Sequence, residues 1–150
     1  MAVGQIAEAI GKGLLAGVAG TAAITATTMA DMRIRGRSSS DAPAQALEKV
    51  ARVQPESDEA HQRLASIAHW QYGTAWGVAR GALDLIGVRG SVATVAHFGL
   101  VWGAAMVMLP ALRIAPPPTQ WGAKELVIDG ANHFAYAVTA GRAYEALDGR

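Results

Sequence analysis

The chain has no cysteine, which excludes a disulfide framework, a thiolate metal site and a cysteine nucleophile. Charge is also scarce. Asp, Glu, Lys and Arg make up 17% of the 150 residues against 51% apolar residues, a greasier balance than a soluble domain of this length carries. The formal net charge is only +1, so the strongly basic footprint of a nucleic-acid-binding domain is missing and no nucleic-acid partner is expected. The length leaves room for one domain, 1–150. The charges that do occur are uneven, with Arg33, Arg35, Arg37, Lys49, Arg52 and Arg63 in a single segment.

The long uncharged runs carry the main signal. From Gly90 to Leu112 there are 23 residues without a formal charge, which as a helix reach about 34 Å and span a hydrocarbon core. A helix on the surface of a soluble protein shows a charged face, and this one has none. A second run of 18 residues, Gly13 to Ala30, is built largely of Ala, Gly and Thr and needs neighbours to insert. Its flanks (Lys12 and Thr28-Met29-Ala30) also fit a signal peptide, as the lesser reading. Two further segments read as membrane helices with polar residues inside: Leu64 to Val88, with His69, Arg80 and Asp84, and Trp121 to Leu147, with Lys124, Glu125, Asp129, His133 and Arg142. The expected fold is all-α, a bundle of four transmembrane helices at about 5–32, 62–88, 91–113 and 121–147. A short amphipathic helix at about 43–53 lies at the membrane interface between the first two.

The connections support this division. Ser38-Ser39-Ser40-Asp41 followed by Pro43 is a helix start, and Ala44, Leu47, Val50 and Ala51 form an apolar stripe. Ser57-Asp58-Glu59 is placed to cap the next helix, and His61 falls in this polar connection, where it is expected to be solvated. Pro116-Pro117-Pro118 predicts a stiff extended turn, with Trp121 as an interfacial anchor behind it. Eight Lys and Arg lie on the side holding residues 33–63 and 113–124, against Lys12, Arg89, Arg142 and Arg150 opposite. The positive-inside rule then puts the 33–63 connection in the cytoplasm.

Small residues predict how the helices pack. Gly13 and Gly17, Gly73, Gly77 and Gly81, and Gly99 and Gly103 repeat at every fourth position, a spacing that lets backbones approach closely in lipid. Internal packing is the first reading, and homo-oligomerisation through a spare glycine face is the sharper one. The partners expected are the lipid bilayer and a second copy of the chain.

The candidate functional residues form a polar interior. Glu125, Asp129, His133 and Tyr136 share one face of the last helix, and His69, Tyr72, Trp76 and Arg80 share one face of the second, while the third contributes His97. A charge at mid-helix costs roughly 2.5 to 3.5 kcal/mol on an insertion scale, so such residues turn inward and find partners. If both helices start on one side, His69 and Glu125 lie about 6 to 8 Å deep and Asp129 about 12 Å deep, close enough to meet. The remaining residues continue as a ladder across the bilayer. Taken singly, each residue reads first as a packing element, Arg80 for example pairing with Asp84 one turn on. His97 and His133 are the candidates for a haem or metal ion, but no ligand spacing accompanies them and no cofactor is expected.

Residues in these same segments carry a family resemblance. His69-x-x-Tyr72, the Pro110 to Pro117 stretch, Trp121 with Glu125, and His133-x-x-Tyr136 resemble the YagU-like group of small bacterial inner-membrane proteins, over roughly the last 85 residues. The resemblance implies a multi-pass protein of the bacterial inner membrane, in a group linked to acid tolerance. The basic, amphipathic 33–63 connection departs from that group. Three functions follow from the residues. One is handling of protons or small ions and solutes by the His and carboxylate ladder. Another is a structural or assembly subunit docking through glycine faces or the basic connection. The last is a membrane enzyme using Glu125, Asp129 and His133 as acid and base, ranked lowest because no nucleophile, phosphate loop or metal signature accompanies them.

Overall fold

The computed structural model of the chain describes residues 2–38 and 40–149. Met1, Ser39 of the expected Ser38–Asp41 helix start, and Arg150 of the charge tally lie outside the described residues. The described residues are helical, with no strand: α1 (Val3–Arg35), α2 (Ala42–Ala51), α3 (Asp58–Leu85), α4 (Gly90–Ala111), a 3-10 turn (Pro118–Gln120) and α5 (Ala123–Leu147). By length and composition, α1 and α4 are apolar enough to cross a membrane. Among the described residues α3 and α5 fall short of the same measure, in α3 because His69, Gln71 and Tyr72 interrupt the apolar run as well as Arg80 and Asp84.

Local chemistry sets the boundaries. α1 runs to Arg35, a turn beyond expectation, and stops where Gly36 takes a left-handed conformation with φ 62°, which glycine adopts without penalty. α3 starts early because Ser57 caps it: its hydroxyl accepts from the Ala60 N–H at 3.2 Å, with Asp58 and Glu59 in the first turn. Ser57→Ala is expected to cost about 1 kcal/mol, read as a lower unfolding midpoint of purified protein. α3 ends at Leu85 because the chain turns at Gly87, φ 83°. Pro117 is extended as expected, but Pro118 opens a 3-10 turn and delays α5 to Ala123. Lys49 of α2 donates to the Leu112 and Arg113 carbonyls at 2.6 and 3.2 Å, placing a cation on the carbonyl end of α4.

The four long helices alternate in direction. α1 packs mainly on α3 and α5, α4 packs on α5 and more lightly on α3, and α2 lies on α3, so the ring order is α1, α3, α4, α5. One end of the bundle holds α2 and both long connections (the α2 end); the other holds the 86–89 link between α3 and α4 (the turn end). His61 belongs to α3 and not to a solvated loop: its Nδ1 lies 2.8 Å from Glu48 of α2. In α2, Ala44 is buried, whereas Val50 and Ala51 are exposed, so the stripe covers α3 only in part.

The α1–α3 seam consists of small residues. Ala9, Gly13, Gly17, Thr21 and Thr25 run against Gly81, Gly77, Gly73 and His69. A Cβ on Gly13 would stand 2.6 Å from the Gly77 carbonyl oxygen, and one on Gly77 would stand 2.6 Å from the Gly17 nitrogen, so backbone meets backbone. Gly20 does the same for Tyr136, whose ring would be 2.7 Å from an added Cβ. Gly99 and Gly103 differ from the expected packing role: nothing lies within 4 Å of a Cβ at either position. They sit away from the buried Ala93, His97, Val101 and Ala105 line of α4.

Candidate functional site

The expected polar interior is distributed over several separate links between helices. His69 bonds to α1, its Nε2 lying 2.9 Å from the Thr25 hydroxyl. That hydroxyl spends its one proton on the Thr21 carbonyl at 2.7 Å, so it accepts from His69, and the Nε2–H tautomer is assigned from the network. Glu125 pairs with Arg35 at the far end of α1; its side chain is 48% exposed and is not interior. Asp129 accepts from the Trp102 indole of α4 at 2.8 Å. His69, Glu125 and Asp129 are expected to meet, but each is held by a different residue instead, His69 and Glu125 by α1 and Asp129 by α4. Depth separates His69, because α3 starts at Asp58 and carries it about 16 Å in, whereas Glu125 lies about 3 Å into α5. Rotation separates Glu125 from Asp129, since four residues turn a position by about 40° and bring the α5 face from α1 toward α4.

The middle level is the most enclosed. Tyr136, 2% exposed, crosses from α5 and donates to the Gly73 carbonyl of α3 at 2.6 Å. His97 of α4 is fully buried, and its Nε2 donates to the Trp76 carbonyl of α3 at 2.9 Å. The His97 and Tyr136 rings are 5.6 Å apart. Both acceptors are carbonyls that a helix leaves with a second lone pair, so side chains from α4 and α5 fasten onto α3 without breaking it. His133 donates from Nδ1 to the Asp129 carbonyl in its own helix at 2.9 Å. Tyr72 lies at the edge of its expected face and is 40% exposed, stacking edge-on against Trp76.

Toward the turn end, Arg80 is fully buried on α3. Its guanidinium lies 4.6 Å from the centre of the Tyr144 ring and 3.8 Å from Glu145, a cation over an aromatic face with a carboxylate beside it. Asp84 pairs with Arg89 at 2.9 Å, and Lys12 with Asp148 at 2.7 Å.

Sequence reasoning missed Thr25, Trp102, Tyr144 and Glu145. Tyr144 was detectable, lying eight residues after Tyr136 on the same side of α5; Thr25 and Trp102 carry no charge and gave no signal. Among the described residues no three His, Asp or Glu side chains gather as a metal ion needs. Compared with known proteins, the chain matches no known family, no curated protein and no solved structure.

Proposed function

We propose that the chain is an integral membrane protein whose four long helices all lie in the bilayer. In this reading its polar interior fastens the helices, and the protein serves as a structural or assembly subunit working through its outer surfaces. The uncharged, apolar exterior of the long helices supports the membrane part. Uncharged stretches of the four long helices overlap in a band between the two ends: 13–30 in α1, 64–79 in α3, 90–112 in α4 and, in α5, the shorter 130–141, which stops at the exposed Arg142. Leu14, Leu15, Val18, Ile67, Val95, Leu100 and Phe134 point outward within these stretches. The polar side chains exposed there are Ser66, Gln71, Tyr72 and Ser91. Water is a poor solvent for such a surface, and lipid a good one. A bacterial inner membrane, with the 33–63 connection in the cytoplasm, belongs to the same proposal and follows the YagU-like resemblance and the basic residues of that connection.

The observation that carries the functional part is the pattern of partners. Thr25–His69, Trp76–His97, Gly73–Tyr136 and Trp102–Asp129 each join two different helices, as hydrogen bonds between membrane helices do. The surfaces left for partners are the outer side of α4 at Gly99 and Gly103 and the basic 33–63 segment. Proton and potassium fluxes in reconstituted liposomes test this. The expected rates equal those of empty liposomes; a flux abolished by Asp129→Asn or His133→Gln sinks the structural reading.

One observation favours the second reading, handling of protons or small ions. His97 Nδ1 is buried with no hydrogen-bond partner, which leaves a bare acceptor in the middle of the bundle. A flux removed by His97→Gln, with the fold retained, identifies that role.

A further inference from the structure

α5 ends before α1 and α3 do, and a notch of about 280 Å³ opens at the turn end where it stops. Its lining carries Glu8 and Lys12 from α1, Asp84 from α3, Arg89 from the link, and Tyr144 and Asp148 from the end of α5. The size suits a small organic molecule, at the lower end of ligand pockets.

The lining carries both signs in layers. Lys12 lies 2.7 Å from Asp148 and 2.5 Å from Glu8, and Arg89 lies 2.9 Å from Asp84. Asp84, Lys12 and Asp148 are half-buried, with 13%, 20% and 24% of their side chains exposed, whereas Arg89 and Glu8 are 60% and 62% exposed. Arg89 and Glu8 are the exposed members of their pairs with Asp84 and Lys12, so they are the side chains at the mouth of the notch that a ligand meets first. A simple anion in the notch meets three carboxylates, and a simple cation meets Lys12 and Arg89. A molecule with a positive and a negative end meets the complement of each. The deeper carboxylates Asp84 and Asp148 suit an ammonium with N–H groups to donate, and the outer Arg89 suits a phosphate.

We propose that this notch binds an aminoalkyl phosphate, an ammonium joined to a phosphate by a short carbon chain, as in the headgroup of an ethanolamine phospholipid. The lipid form rests on the membrane reading above. The notch lies just beyond the uncharged band, at headgroup level, and Leu15, one turn along α1 from Lys12, is 60% exposed as a seat for an acyl chain.

The test is titration calorimetry of the full chain in mild detergent with soluble phosphoethanolamine, phosphocholine, and the short-chain ethanolamine and choline phospholipids. The expected result is saturable binding of an ethanolamine compound and binding about tenfold weaker, or weaker still, for its choline counterpart, which has no N–H to donate. Arg89→Gln and Asp84→Asn are each expected to weaken it about tenfold, and Arg89 is exposed enough that its loss spares the fold. Binding of both ethanolamine compounds supports a site for the free headgroup, and binding of the phospholipid alone supports a lipid site. No saturable ethanolamine binding, equal binding of choline compounds, or binding indifferent to both variants overturns the proposal. Phosphoethanolamine is water-soluble, so that arm reads the notch whether or not the membrane reading holds.

Discussion

Gly77→Leu is expected to cost at least about 3 kcal/mol, the upper end of what overpacking a tight contact costs. The neighbours that the new side chain meets are the Gly13 carbonyl and the Gly17 nitrogen. Both are backbone, so no rotamer change relieves the clash and α1 must move off α3. Gly99→Leu, where nothing lies within 4 Å of an added Cβ, is the matched control and is expected to stay within about 0.5 kcal/mol of the wild type. Both are read from unfolding in mixed micelles at increasing denaturing detergent, by helix content and Trp fluorescence. Equal stability of the two variants contradicts the α1–α3 seam.

Tyr136→Ala is the second large effect, at about 3 to 5 kcal/mol, as for a buried aromatic cut to alanine. Tyr136 is 2% exposed and packs with Ala16, Val101, Ala137 and Ala140 in the core, so its removal leaves a void that α1, α3, α4 and α5 do not refill together. Tyr136→Phe separates packing from the hydrogen bond. It keeps the ring and loses only the 2.6 Å bond to Gly73, which is expected to cost about 1 kcal/mol or less. A Phe variant as unstable as the Ala variant places the stabilisation in the hydroxyl and overturns the packing account. Since a domain of this size is held by roughly 5 to 15 kcal/mol, Gly77→Leu and Tyr136→Ala together are expected to leave little folded protein.

Helix existence was legible because the signals were local. The uncharged stretch from Gly90 to Leu112 announces α4, and the Gly73, Gly77 and Gly81 repeat announces a close approach that the structure shows against Thr21, Gly13 with Gly17, and Ala9 of α1 in turn. The partners of the polar residues were not legible, since they depend on which helices become neighbours. Arg35 and Glu125 are 90 positions apart and meet only because α5 closes the ring against α1. Thr25 reads in the sequence as one small residue among many, and only the antiparallel register of α1 and α3 turns it into the partner of His69. Gly99 and Gly103 share the spacing of the packed glycines, and spacing alone does not say which side of α4 faces inward.

The central claim is that lipid covers the uncharged band, and the absence of cysteine makes it simple to test with single labels. Ala22→Cys, Val95→Cys and Phe134→Cys place spin labels on exposed positions within the band, and Val53→Cys places one beyond α2. In reconstituted bilayers, the three band labels are expected to be relaxed by oxygen, which concentrates in lipid, and shielded from a water-soluble nickel chelate, with the Val53 label reversed. Nickel reaching the band labels as readily as the Val53 label contradicts the account.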